Sequence, residues 1–173
     1  MQVFLKPSLL LLTLISYFLP AHVFAWSENL PPASKSPTTC KLEPEAQCTQ
    51  GIFIGLKAPG LDMNHASMPQ IRLDKAKLSR ANFSYATLDL ANLESADLSL
   101  SNLEGAHMHA VNLQNANLML ANMKGVSLLD ADLRGANLRG ANLTGTTLIQ
   151  AKFDGATWVD GRICAPKSIG ECI

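Results

Sequence analysis

Apolar residues recur at every fifth position through most of the chain. From Met63 to Trp158 all twenty positions of this series are apolar, and most are leucine. Alanine usually stands two residues earlier, with a polar residue in between. An α-helix turns through about 500° in five residues, which would scatter these side chains around its surface. A flat strand would point successive ones to opposite faces. The period therefore predicts a chain that turns a corner in every repeat and winds into a solenoid.

The polar residue before each apolar position sorts by type when it is read at every twentieth residue. One such column holds Asp62, Asn82, Asn102, Asn122 and Asn142, and the next holds Ser67, Thr87, His107, Ser127 and Thr147. This segregation favours four repeats per coil. Residues 61–160 would then form about five square coils, roughly 24 Å long. We expect Leu98, Leu118 and Leu138 to point into the core and the asparagines to hydrogen-bond along the axis.

The clearest stretch of the repeat, Ala131 to Gly145, reads ADLRGANLRGANLTG. It resembles the pentapeptide-repeat family, whose pattern is A-(N/D)-L-x-x, and the likeness covers about 100 of 173 residues. The resemblance implies an all-β fold, a right-handed quadrilateral β-helix. The tail from Thr157 to Cys172 is similar to the end of exported bacterial members.

The N-terminus has the layout of a secretory signal peptide. One lysine precedes an apolar run, Leu9 to Leu19, which is followed by Pro20 and by Ala25 at the predicted cleavage site. A membrane anchor is the alternative, although it needs about 20 apolar residues. We predict a signal peptide over 1–25 and a flexible linker over 26–39, for which an irregular strap is the alternative. The mature protein would be periplasmic or secreted, with no membrane contact.

The four cysteines lie outside the repeat. Cys40 and Cys48 fall in a predicted N-terminal cap, 40–60, and Cys164 and Cys172 in a predicted C-terminal cap, 161–173. Export favours disulfides, and three pairings are open. We expect local pairing, because the solenoid separates the two ends, whereas a zinc site usually has closer spacing. Residues 52–54 are expected to plug one end of the core, and Trp158 with Ile163 the other.

No catalytic motif accompanies the repeat. Acidic and basic residues balance at 14 each, so the composition predicts no nucleic-acid-binding field. His107 and His109 could clasp a metal but lack an evident third ligand, and Asp130 with Asp132 is expected to be solvated surface. We predict no enzyme activity, no cofactor and no metal.

Apolar residues at expected corner positions form one candidate surface. Leu100 and Leu120 should stack one coil apart, with Met119 beside them, whereas Leu90, Leu129 and Ile149 lie across the square. A stacked apolar group can mark a protein partner or a homo-oligomer interface. The sequence thus favours an exported, non-enzymatic structural or protein-interaction scaffold with an unidentified protein partner. The alternatives are a DNA mimic that binds topoisomerases, which the neutral charge and the export signal disfavour, and a weak metal-binding module.

Overall fold

The computed structural model describes residues 40–173, so the predicted signal peptide and linker lie outside the described residues. Within this range the chain repeats one motif, a single bridged residue followed by a two-residue turn. Residues 40–173 contain no α-helix and no strand longer than one bridged residue. No helix in this range has the length and apolarity to cross a membrane.

Parallel bridges join residues that are 20 apart, which gives four five-residue repeats per coil. The N–H of Leu118 donates to Asn137 O at 2.8 Å, and the N–H of Asn117 donates to Ala96 O at 2.9 Å. The same two bonds recur in each of the four stacks of bridged residues, which form the four walls of the solenoid. The observed register agrees with the one predicted from the polar columns, one of which pairs Asp62, Asn82, Asn102, Asn122 and Asn142 in order.

The paired walls begin before residue 61, the predicted start of the solenoid. The first parallel bridges join Gln47 to Ser67, Ile52 to Arg72 and Lys57 to Lys77. Much of the segment predicted as an N-terminal cap, 40–60, therefore forms a coil. Cys48, Phe53 and Ala58 take the apolar positions of its repeats, and the cysteine and alanine at two of these three positions hid the repeat in the sequence.

The core is a column of leucine and alanine side chains along the axis. Leu98, Leu118 and Leu138 are fully buried, each at 0% exposure. Burying one leucine contributes about 1.5–3 kcal/mol, so repetition of this unit stabilises the solenoid. Leu143, Leu148 and Trp158, in the last coil, are only partly buried.

Asparagine on the walls serves both the turn and the stack. Asn122 Oδ1 accepts the N–H of Lys124 at 3.3 Å, which closes the turn, and Asn122 Nδ2 donates to Asn102 Oδ1 at 3.0 Å across coils. The second turn residue has a positive φ throughout the regular coils. Glycine also leaves room for side chains of the preceding coil: an added Cβ would lie 2.6 Å from the Tyr85 ring at Gly105 and 2.7 Å from Leu120 Cδ2 at Gly140.

A disulfide stands at each end of the described chain. Cys40 is bonded to Cys48 and Cys164 to Cys172, with Cα–Cα distances of 5.2 and 4.9 Å. The expectation about the plugs was wrong in part. Ile52, Ile54 and Ile163 are exposed because they occupy wall and turn positions rather than inward ones. Phe53 and Trp158 do pack against the core.

Candidate interaction surface

The apolar group on one corner of the solenoid, which we call the leucine corner, consists of Leu100, Met119 and Leu120. Their side chains are 47%, 37% and 53% exposed. The N–H of Leu100 donates to Met119 O at 2.9 Å, so the backbone ladder holds the two coils in register at this corner. The leucine corner is therefore a fixed feature that the walls position.

Leucine is an unusual choice for these turns. Leu100 and Leu120 have φ values of 60° and 58°, in the region that a bulky side chain rarely adopts. The same column has glycine at Gly60 and Gly140, where that backbone conformation carries little steric cost. Leu120 gains contact by lying over Gly140 but stays half exposed. Neither backbone preference nor burial in the monomer accounts for two leucines here.

The C-terminal cap carries three exposed isoleucines, Ile163, Ile169 and Ile173, but on the regular coils before it the other exposed apolar side chains are more dispersed. Leu90 and Ile149 are 54% and 62% exposed, on the diagonally opposite corner, while Leu129 between them is partly buried. Tyr85 is exposed but stacks on His65, with ring centroids 5.2 Å apart. The leucine corner is thus the group in which exposed aliphatic side chains follow one another on adjacent coils.

Some charged side chains on the surface of the solenoid form ion pairs. Arg134 Nη2 lies 2.6 Å from Asp132 Oδ2, and Lys124 Nζ lies 3.0 Å from Glu104 Oε1. Burial opposes ionisation of Asp132, but its bonds from Arg134 outweigh that effect and hold its pKa below the ordinary value. The bond from Lys124 likewise lowers the pKa of Glu104. Because each of these pairs joins a basic and an acidic side chain, the surface around them carries both signs of charge.

The other polar groups singled out in the sequence lie apart from the leucine corner. His107 is bridged to Thr87 and Ser127 on a wall, whereas His109 sits at a turn with its Nε2 3.3 Å from Asp130 Oδ2. Asp132 is engaged by Arg134 instead of pairing with Asp130. Within residues 40–173, no three His, Cys, Asp or Glu side chains are grouped so as to hold a metal ion.

The repeat also matches a known family. The model for pentapeptide repeats fits the chain over residues 60–94, 88–125 and 121–157, with eight copies. The chain belongs to the pentapeptide-repeat family. Pentapeptide-repeat structures imply a right-handed quadrilateral β-helix, and the family is scaffold-like and generally non-enzymatic.

Solved pentapeptide-repeat proteins resemble this one to different degrees. Rfr23 from the cyanobacterium Cyanothece 51142 is 28% identical, covers 65% of this chain and 90% of its own, and has a TM-score of 0.62. A protein from the Arabidopsis thaliana thylakoid lumen is 24% identical over 68% of this chain and 84% of its own, with a TM-score of 0.39. QnrB1, a plasmid-mediated fluoroquinolone resistance protein, is 15% identical over 67% and 74%, with a TM-score of 0.32. No curated protein matches the chain.

Sequence reasoning identified the residues of the leucine corner but missed two features of this pentapeptide-repeat chain. One is the role of wall asparagine in closing the turn, for which the signal was available: asparagine oxygens commonly accept the N–H two residues later. The other is the uneven closure of the C-terminal end, for which the regular repeat gives no signal. It follows from where residues 161–173 fold back.

Proposed function

We propose that this pentapeptide-repeat protein is an exported, non-enzymatic scaffold that binds a protein partner through the leucine corner. We also infer that the coils form a right-handed solenoid of between five and six turns, because the bridged walls run from Gln47 to Thr157. The observation that carries the proposal is the pair Leu100 and Leu120, which are exposed at equivalent turns of adjacent coils that would be less strained with glycine.

Support for a scaffold role comes from the way the coils are tied together. Hydrogen bonds run from coil to coil along all four walls, and the core is continuous. A partner that meets such a surface finds side chains already in place, so little conformational entropy is lost on binding. This is the physical advantage of a solenoid as a docking platform.

Support for a partner comes from the chemistry of the leucine corner. Two leucines and a methionine next to one another offer an aliphatic surface of the kind that lies at the centre of protein interfaces. The walls beside it include neutral Asn117 and Asn137. The partner expected is therefore a protein with a complementary apolar surface.

Support for export comes from the apolar N-terminal run and from the cysteines. Disulfides persist in oxidising compartments, and all four cysteines are paired. Fractionation of cells that express the full gene should place the protein in the periplasm or the medium. Its measured mass should correspond to a chain that starts at Trp26, and an intact chain in the cytoplasm would contradict the proposal.

The test of the leucine corner is the double variant Leu100→Asn/Leu120→Asn. Asparagine tolerates positive φ better than leucine does, so we expect unchanged or slightly higher stability together with loss of the partner. The matched control is Leu90→Asn, because Leu90 has the same φ, 60°, and the same exposure class on the opposite corner.

Affinity capture from the exported fraction, quantified by mass spectrometry, provides the readout. Proteins retained by the parent and by Leu90→Asn but lost from the double variant would support the proposal. It fails if the double variant captures the same proteins as the parent, or if it unfolds while Leu90→Asn does not, since the leucines would then have a structural role.

A DNA-mimic function would need a strongly acidic surface, whereas this chain has a net charge of zero and paired wall charges. The metal-binding alternative rests on His107 and His109 alone. Equilibrium dialysis against zinc and copper distinguishes it from the scaffold.

A further inference from the structure

The C-terminal end of the solenoid is closed on two adjacent sides and open on the other two. The last residues fold back so that Ile169 bridges Lys152 and Ile163 bridges Thr157, both antiparallel. The other two walls end at Asn142 and Thr147, beyond which the described chain places no bridged residue. The end therefore has the shape of a step, with the cap raised by one layer over half of the square.

The open half presents unpaired backbone groups in the ladder pattern. One coil earlier, the N–H groups of Met123 and Leu128 donate to Asn142 O and Thr147 O. The equivalent N–H groups of Leu143 and Leu148 have no backbone acceptor within residues 40–173, and the carbonyls of Ala141 and Thr146 have no backbone donor there. Unpaired groups at a sheet edge are a template for another strand.

The raised half presents the complementary set. Bonds on either side of Ile163, from Cys164 N–H to Ala156 O and from Trp158 N–H to Arg162 O, join the cap to the last coil. Ile163 lies between them in a non-hydrogen-bonded pair, so its own N–H and C=O point away from the solenoid. Neither Ile163 nor Ile169 makes a backbone hydrogen bond among the described residues.

The open half also leaves core side chains without cover. Leu143 and Leu148 are partly buried, whereas Met123 and Leu128, their counterparts one coil earlier, are at 0% exposure. No charged residue occurs from Gly140 to Ala151. Natural proteins usually protect a free edge with charge or proline, and this edge carries neither.

We propose that the open half of this end binds the raised cap of a second copy of the same chain. A two-fold axis along the boundary between the open and capped halves places each cap over the open half of the other molecule. A step that is one layer high and covers half of the end is self-complementary under this rotation. Ile163 of one copy then faces Asn142 of the other, and Ile169 faces Thr147.

The pairing continues the ladder of the solenoid across the interface. The N–H of Leu143 donates to the carbonyl of Ile163 in the second copy, whose N–H donates to Ala141 O. On the next wall, the N–H of Leu148 donates to the carbonyl of Ile169 in the second copy, whose N–H donates to Thr146 O. All eight bonds of the symmetric dimer follow the parallel register that the walls already use, and Leu143 and Leu148 become covered. The leucine corner lies one coil away from this surface, because Leu120 packs over Gly140 at the edge of the open half.

Sedimentation of the full gene product, exported and processed as in the cell, tests the proposal first. We expect a closed dimer with two chains per particle. The double variant Ile163→Pro/Ile169→Pro removes two N–H groups that make no backbone hydrogen bond within the described chain, so each monomer should remain folded. Its dimer dissociation constant should rise roughly ten-fold or more. The matched control, Ile163→Ala/Ile169→Ala, keeps both N–H groups and should still form the dimer.

Hydrogen exchange gives a readout that does not depend on the proline variant. The amides of Leu143 and Leu148 should exchange slowly at high protein concentration and quickly on dilution, while Met123 and Leu128 stay protected at both. A monomer at all concentrations overturns the proposal, whether these amides are open or are covered by residues 1–39. Filaments, or a dimer that Leu100→Asn/Leu120→Asn dissociates with no change at Leu143 and Leu148, overturn it as well.

Discussion

Depth in the core should determine the cost of removing a repeat leucine, and three leucines allow a matched comparison. Leu118 is at 0% exposure in the middle of the solenoid, Leu148 is partly buried at its open end, and Leu120 is 53% exposed on the leucine corner. Each is replaced by alanine, so the same atoms are deleted in three environments.

The expected losses follow from burial. At Leu118, coils on both sides prevent collapse around the deleted atoms, so the free energy of unfolding should fall by about 2–5 kcal/mol. That is a large share of the roughly 5–15 kcal/mol typical of a domain. Leu148 is covered by a coil on one side, and we expect about half that loss. Leu120→Ala should change the stability by no more than about 0.5 kcal/mol.

Equilibrium urea denaturation, followed by far-ultraviolet circular dichroism with the disulfides intact, measures all three. Low protein concentration keeps the end-to-end dimer dissociated, so that Leu148 reports on the monomer. The ranking Leu118, Leu148, Leu120 tests the inward assignment of the repeat. Equal losses at Leu118 and Leu120 would refute it, because a leucine on the surface and one in the core cannot cost the same in this fold.

Three further predictions concern the walls and the ends. Asn122→Ala should destabilise the fold by about 1–3 kcal/mol, since it removes bonds to the turn and to the next coil, whereas Ser127→Ala should cost under about 0.5 kcal/mol; similar losses in urea denaturation would contradict the role of the asparagine ladder. Burial opposes the ionisation of Asp97 and Asp132, but bonds from Ser99 and Arg134 outweigh this effect and hold both pKa values below that of an ordinary aspartate; their ionised forms therefore stabilise the fold at neutral pH, and this contribution should be lost as the pH falls below about 4. Asp132→Asn should flatten that acid-side loss in thermal unfolding curves, and an unchanged profile would exclude the Arg134 pair as its source. Cys164→Ser/Cys172→Ser should lower stability by roughly 2–3 kcal/mol and speed amide exchange at Phe153 and Trp158, which the cap pairs, while exchange at Leu98 stays slow; uniform exchange would indicate that the cap has no separate role.

The period of five determined most of the fold in advance. A residue such as Leu118 can be buried in every coil only if the chain turns a corner in each repeat, and the separation of asparagine from serine and threonine set four repeats per coil. Irregular segments were harder to predict, because their positions depend on tertiary contacts that leave no period. Gln47 and Ile52 pair with the next coil although few residues near them fit the repeat.

The two candidate surfaces, the leucine corner and the open C-terminal end, also differ in how far the sequence predicted them. The register placed Leu100 over Leu120, so the leucine corner could be recognised from sequence. The open end could not, because it arises where residues 161–173 reverse direction and pair with only two walls. Nothing in the local sequence of Ile163 or Ile169 specifies an antiparallel return.

Site-specific photo-cross-linking in living cells tests the scaffold proposal most directly. A photoreactive residue at Met119, in the leucine corner, is compared with one at Ile149, which is also exposed but lies on another corner. The proposal predicts a discrete cross-linked protein from position 119 that is absent from position 149 and is lost in Leu100→Asn/Leu120→Asn. The same products from both positions, or none from position 119, would contradict it.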